Sequence, residues 1–163
     1  MPKLIRQYIT PAGVKEIDAW VAKYPKEEKQ SAVMSALMVA QKEHGFLTKE
    51  VMDAVADYLD MAPIAVYEVA SFYTMYEHQP IGRHLVNVCT NISCKLRNCD
   101  AIVSHLETKL DIKLGETTAD GLYTLRQVEC LGACVNAPMM QVNKDYHENL
   151  TPENVDAILA RYR

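Results

Sequence analysis

Apolar residues in the first half of the chain recur at helical spacing. Four successive segments carry apolar side chains three or four residues apart, the pattern of a helix with one buried face. These stripes are Val14, Ile17, Val21 and Tyr24; Val33, Leu37 and Ala40, widened by Met34 and Met38; Val51, Val55 and Leu59; and Val66, Val69, Ala70 and Tyr73. Because the connections between the segments are short, we expect a small helical bundle.

Residues with preferences for helix ends bound these segments. Pro25 is expected to end the first helix, and Gly45 suits the left-handed end of the second. Thr48 is a good N-cap for the third helix, and Pro63 suits the first turn of the fourth. We expect the stripes to be buried, although the methionine-rich face of the second helix also suits a partner surface.

The pattern changes near Gly82 to the alternation of strands. Residues 84–89 predict a strand that ends at Cys89, and residues 122–128 predict a second strand that leads to Cys130. An Asp-Gly turn precedes the second strand. Met140 and Val142 alternate with polar residues and predict a third strand.

Two helices complete the second half. One is expected after Cys94, with the apolar stripe Ile102, Val103, Leu106 and Leu110. The last helix begins with Thr151 as N-cap and Pro152 at its first position. The order β-α-β-β-α predicts a compact unit, and we place the domain boundary so that residues 1–80 form a helical bundle and residues 81–163 the second domain.

Composition excludes several classes of protein. The chain has 163 residues and a formal net charge of −4, without the basic patch of a nucleic-acid-binding surface. No apolar run approaches the length of a membrane span, and the N-terminus has neither a secretory apolar region nor a transit segment. We therefore expect a cytoplasmic protein, in which thiols stay reduced and clustered cysteines usually mean metal binding or catalysis.

Four of the five cysteines lie in two short loops. Cys89 and Cys94 have the spacing C-x4-C, and Cys130 and Cys134 have the spacing C-x3-C. Thiolate sulfur suits iron, and a two-iron cluster needs two ligands on each iron, so we predict that these residues hold one [2Fe–2S] cluster. Gly132 lets the second loop adopt a positive φ. The alternative is a structural zinc site, because four cysteines are also a ligand set that zinc uses. Neither loop, however, has the C-x2-C spacing typical of zinc ribbons.

The fifth cysteine, Cys99, is not assigned as a ligand. Cysteines 89, 94 and 99 are evenly spaced, so spacing alone leaves open which pair shares an iron. Five residues along one continuous helix would turn the Cys99 side chain about 140° away from Cys94. We therefore expect Cys99 to be a small, half-buried helical residue.

No residue set predicts that the chain catalyses a reaction alone. It has no glycine-rich nucleotide loop and no nucleophile elbow. The histidines are scattered without metal-ligand spacing, at positions His44, His78, His84, His105 and His147. A thiol oxidoreductase is disfavoured because the chain has no C-x-x-C pair.

Three segments carry a resemblance to a known family. They are CTNISCKLRNCDAI from Cys89, ECLGACVNAPMMQVN from Glu129, and VYEVASFYTMYEHQPIGRHLVNVC from Val66. The chain resembles the small, E-type [2Fe–2S] subunit of NADH:quinone oxidoreductase, respiratory complex I. The resemblance implies an α+β protein in which a thioredoxin-like [2Fe–2S] ferredoxin domain follows the helical bundle.

The resemblance also implies a role and partners. The cluster would exchange single electrons with the FMN of a larger subunit that also binds NADH, in a peripheral arm at the inner face of the bacterial cell membrane. Related subunits occur in NAD-linked hydrogenases and formate dehydrogenases, and the motifs do not separate these. The alternative from another functional class is an adaptor protein without a redox role, in which the four cysteines bind a structural zinc ion.

Overall fold

The computed structural model describes residues 4–162. Residues 1–3, at the start of the predicted helical bundle, and Arg163, the last residue of the second predicted domain, lie outside the described residues. The chain divides into two compact units, residues 1–80 and residues 81–163. None of the helices in residues 4–162 has the length and apolar run that crossing a bilayer requires.

The described part of the first unit is helical. Its α-helices are α1 (Ile5–Tyr8), α2 (Pro11–Val21), α3 (Val33–His44), α4 (Lys49–Leu59) and α5 (Pro63–Phe72). One apolar core joins them, and it includes most of the predicted stripe residues. The predicted helical bundle is confirmed.

Several predicted helix ends are confirmed. Gly45 adopts φ +82° after α3, and its N–H donates to the carbonyl of Gln41 at 2.7 Å. The Thr48 hydroxyl accepts a hydrogen bond from the N–H of Val51 at 3.3 Å, and Pro63 occupies the first turn of α5. These local signals are short-ranged, which is why the sequence alone locates them.

Other expectations for the bundle are wrong. Helix α2 ends at Val21, and the chain leaves it through tight turns, so Tyr24 lies beyond the helix and is exposed. Residues Lys26–Ala32 form a 3₁₀ segment with a kink at Glu28, and α3 starts after it at Val33, the first residue of its predicted stripe. Met34 packs against the core, but Met38 is 44% exposed.

The described part of the second unit is built on a four-stranded sheet. Its strands are β1 (His84–Cys89), β2 (Tyr123–Val128), β3 (Met140–Val142) and β4 (Asp145–His147), in the spatial order β2-β1-β3-β4. Strands β1 and β2 are parallel, whereas β3 is antiparallel to both β1 and β4. The first three strands confirm the predicted ones to within one residue. Strand β4 was not predicted, because it has three residues and no buried face.

The helices of this unit are α6 (Ile92–Leu96), α7 (Cys99–Leu110) and α8 (Pro152–Leu159). Helices α7 and α8 contribute Ile102, Leu106 and Val155 to the core beside the sheet. The prediction of one continuous helix after Cys94 is wrong, because Asn98 adopts φ +62° and separates α6 from α7. The predicted fold class, α+β with an N-terminal helical bundle, is confirmed.

The start of α8 gives a test of local stability. The Thr151 hydroxyl accepts from the N–H of Asn154 at 3.3 Å, and the Asn154 side-chain oxygen accepts from the N–H of Thr151 at 2.8 Å. We expect Thr151→Ala to lower the free energy of unfolding by about 1 kcal/mol, because the cap is lost. Thr151→Ser keeps the hydroxyl and is the control in urea denaturation. Equal stabilities of the two variants would contradict a role of this cap.

Candidate metal centre

Both cysteine loops start at one edge of the sheet. Strands β1 and β2 are adjacent and parallel, and Cys89, the last residue of β1, pairs with Val128, the last residue of β2. The N–H of Thr90 donates to the carbonyl of Val128 at 3.1 Å and extends this pairing. Because Cys130 follows Val128 by two residues, each loop leaves the sheet from the same end.

The first loop brings its two cysteines into contact. The Asn91 side chain accepts from the N–H of Ile92 at 2.7 Å and starts α6, which carries Cys94. The Cys94 thiol makes a hydrogen bond with Cys89, and both residues are buried. The N–H of Cys89 donates to the carbonyl of Met139 at 3.2 Å, so the segment before β3 holds this residue in place.

The second loop exposes its two cysteines. Cys130 and Cys134 are both exposed, whereas Leu131 and Ala133 pack inward against the buried cysteines. The Tyr146 hydroxyl donates to the carbonyl of Leu131 at 2.9 Å and ties the loop to β4. Gly132 adopts φ +79°, as the sequence predicts, and a Cβ atom there would meet no atom within 4 Å. The loop therefore has open space beside it.

Cys99 lies where we did not expect it. It is 0% exposed and shares one buried cluster with Cys89 and Cys94, completed by Ala137 and Met139. The expected rotation away from Cys94 is wrong, because it assumed one helix through a position where Asn98 turns the chain. The structure therefore places three thiols together and leaves two on the neighbouring loop.

Burial disfavours the thiolate forms of Cys94 and Cys99 in the absence of a metal. The pKa of the Cys94 thiol is raised to about 11, first by burial and next by the hydrogen bond to Cys89, whereas the backbone of Met139 lowers it. Burial also raises the pKa of Cys99, with a smaller contribution from the charge of Asp100. A bound metal therefore has to displace a proton from Cys94.

The donor set fits an iron–sulfur group. All five cysteines are free thiols, and thiolates are the ligands that such clusters use. Across residues 4–162, no three His, Cys, Asp or Glu side chains are grouped around one point that could hold a metal ion. A two-iron cluster asks for two thiolates on each iron. Cys89 and Cys94 form one such pair, and Cys130 and Cys134 lie in the adjacent loop; this quartet stays a prediction.

Exposed apolar residues beside the cysteines were missed from the sequence. Ile92 and Leu96 on α6 are 71% and 82% exposed, and Val135, next to Cys134, is 93% exposed. Ile92 and Leu96 are four residues apart and therefore share one face of the helix that carries Cys94. This spacing was visible in the sequence, but a segment of five residues is too short for a helical stripe to be read.

Two cysteine loops on adjacent parallel strands of an α+β unit define a small thiolate-ligated iron–sulfur protein. A family model described as thioredoxin-like [2Fe–2S] ferredoxin matches residues 17–163. The chain belongs to this family, and its cofactor is accordingly one [2Fe–2S] cluster.

Relatives from three organisms are similar over most of this chain. The E 2 subunit of NADH-quinone oxidoreductase from Rhizobium meliloti (strain 1021) is 51% identical over 148 residues, 91% of this chain and 87% of that protein. The E subunit of the same enzyme from Rickettsia bellii (strain RML369-C) is 44% identical over 144 residues, 88% of this chain and 86% of that protein. The mitochondrial NADH dehydrogenase [ubiquinone] flavoprotein 2 of Dictyostelium discoideum is 46% identical over 143 residues, 87% of this chain but 58% of that protein. The resemblance stated from the sequence is confirmed.

A solved structure shows a similar fold. The NAD⁺-reducing [NiFe]-hydrogenase in its air-oxidized state matches with a TM-score of 0.70 over 80% of this chain and 22% of that chain. The sequence identity is 21%, so the likeness concerns the fold alone.

The burial of the thiols predicts their order of reaction in the metal-free protein. We expect iodoacetamide to modify Cys130 and Cys134 first, because both are exposed. Cys94 should react slowly at pH 8, because it is buried and its pKa is about 11, so its thiolate fraction is small. Peptide mass spectrometry after timed alkylation measures this order. Equal rates at all five cysteines would contradict the described arrangement, and alkylation in denaturant is the control for intrinsic reactivity.

Proposed function

We propose that the chain is the electron-transfer subunit of an NADH:quinone oxidoreductase, in which its cluster exchanges single electrons with the flavin of a larger partner subunit. The observation that carries the proposal is the meeting of two cysteine loops at one sheet edge, in a chain 51% identical to the E 2 subunit of such an oxidoreductase. On this proposal the chain is part of an enzyme and does not catalyse NADH oxidation alone.

The proposed ligands are Cys89, Cys94, Cys130 and Cys134. The cluster supplies one-electron chemistry when bound, since it accepts or releases a single electron. Cys89 and Cys94 would anchor it to the sheet and to the buried apolar cluster that includes Ala137 and Met139. Cys130 and Cys134 are exposed, so the side of the cluster that they hold would be accessible to a partner.

The two units have different proposed roles. Residues 81–163 form the cluster-binding domain, because all five cysteines lie within them. Residues 1–80 form a helical domain with its own apolar core. We propose that this boundary separates two domains in the functional sense as well.

Exposed apolar residues beside the cysteine loops, here called the rim, support the proposal that a partner docks there. Ile92, Leu96 and Val135 border the cysteine loops and expose large apolar side chains, and such patches mark interaction surfaces. A partner seated there would bring its redox centre near the cluster and exclude water from the exposed thiolates. We propose that this partner is the flavin- and NADH-binding subunit, in a peripheral arm at the cytoplasmic face of the membrane. NAD-linked hydrogenase or formate dehydrogenase partners are the alternatives.

Affinity purification of the tagged chain from its native host tests this proposal. We expect a flavin-bearing NADH dehydrogenase subunit to co-purify, and NADH to reduce the iron–sulfur centre of the complex under anaerobic conditions. Recovery of a hydrogenase would contradict the respiratory assignment. A colourless chain with stoichiometric zinc would contradict any redox role.

A substitution in the rim tests the docking surface in the same preparation. We expect Leu96→Asp to lower the yield of the flavin subunit severalfold, because it places a charge in an apolar contact. Its iron content should be unchanged, since Leu96 points into solvent. The control is Lys144→Asp in the turn between β3 and β4, at the end of the sheet opposite to Cys89. If Leu96→Asp leaves the yield of the flavin subunit unchanged, the proposed docking surface is contradicted.

A further inference from the structure

The structure holds one buried thiol more than the proposed cluster uses. Cys89, Cys94 and Cys99 are packed together with Ala137 and Met139, and Cys99 is 0% exposed. The partly buried loop residues Leu131 and Ala133 pack against this cluster, and the charges of Asp100 and Lys95 lie close enough to act on the Cys99 thiol. Cys99 is therefore the side chain in this cluster that has ligand chemistry and no assigned task.

A turn at Asn98, between α6 and α7, brings Cys99 to this place. The N–H of Asn98 donates to the carbonyl of Lys95 at 3.0 Å and closes α6, and Asn98 then adopts φ +62°. Helix α7 starts at the next residue, so Cys99 occupies its first turn.

Different elements hold the two proposed ligands of the first loop. Cys89 is a strand residue whose pairing with β2 and hydrogen bond to Met139 fix it from two sides. Cys94 lies in α6, which has five residues and ends in the turn at Asn98. A ligand position on such a short helix is the easier one to vacate or to replace.

We propose that Cys99 is a reserve ligand, which takes the position of Cys94 on the iron when the Cys94 sulfur is absent or detached. The inference rests on the proposed function, since it assumes that Cys94 is a ligand. In the exchange the Cys99 thiol releases its proton to solvent, and its sulfur forms the bond to iron that Cys94 no longer makes. The Cys94 sulfur, where present, takes up a proton. No electron is transferred, and the iron keeps four ligands.

The test measures iron and acid-labile sulfide in the full-length chain purified anaerobically, with the visible and EPR spectra as a second readout. We expect Cys94→Ala to retain the cluster with shifted spectra. The variant Cys94→Ala/Cys99→Ala should lose it, because no thiolate is left beside Cys89. The matched control is Cys94→Ala/Ser104→Ala, which adds an exposed substitution on α7 and should behave like Cys94→Ala.

Three outcomes would overturn the proposal. In the first, Cys94→Ala loses the cluster as completely as the double cysteine variant does. In the second, both variants retain the cluster equally. In the third, Cys99→Ala alone loses the cluster, which would make Cys99 a resident ligand. A wild-type chain without a [2Fe–2S] cluster would overturn the proposed function itself. If the wild-type chain holds the cluster and one of the three outcomes occurs, only the inference about Cys99 fails.

A second pair of variants covers the case in which Cys94→Ala does not fold. Cys94→Ser keeps the volume of the side chain, and its hydroxyl competes with the Cys99 thiol for iron. We expect Cys94→Ser to show the resonance Raman bands of an all-thiolate cluster, and Cys94→Ser/Cys99→Ala to show the shifted bands of oxygen ligation or no cluster. Identical spectra of these two variants would overturn the proposal.

Discussion

The parallel pairing of β1 with β2 is the constraint on which the candidate site depends. The two strands are separated by more than thirty residues of sequence, yet their ends coincide at the pair Cys89 and Val128. Without that register the two cysteine loops would leave the sheet at different points. The crossover through α6 and α7 makes the parallel arrangement feasible, since parallel strands need a long connection. The core of Val86, Leu125 and Leu106 holds the pairing in place.

The thiols at this edge differ in their exposure, and this difference organises the proposed function. Cys89 and Cys94 lie in an apolar cluster, where burial holds Cys94 as a thiol until a metal displaces its proton. Cys130 and Cys134 lie on a loop that packs inward only through Leu131 and Ala133. A group bound between the loops would be anchored on one side and accessible on the other. An electron carrier that works with a partner subunit needs both properties.

Local signals made much of the second unit predictable. Alternation located β1 to the residue, and Thr151 with Pro152 located the start of α8. The predicted strand ends also placed Cys89 at the end of one strand and Cys130 just after another, whereas the parallel pairing that brings them together is seen only in the structure. The cofactor was equally readable, because four cysteines in two short loops are typical of an iron–sulfur or a zinc site.

Features that depend on a single backbone conformation or on tertiary packing were not predictable. A left-handed Asn98 divides a segment whose apolar pattern reads as one helix, and this moves Cys99 into the cysteine cluster. Asparagine tolerates this conformation but does not require it, so the residue type alone is no decisive sign. Strand β4 forms because β3 offers it an edge, not because its own residues alternate. Met38 is exposed although it extends an apolar stripe, since stripe width is decided by the neighbouring helices.

Metal analysis combined with EPR spectroscopy of the anaerobically purified chain tests the central claim most directly. The account predicts a coloured protein with about two iron and about two sulfide ions per chain, and an EPR signal that appears after reduction by one electron. Stoichiometric zinc in a colourless protein, with no such signal after dithionite, would contradict it.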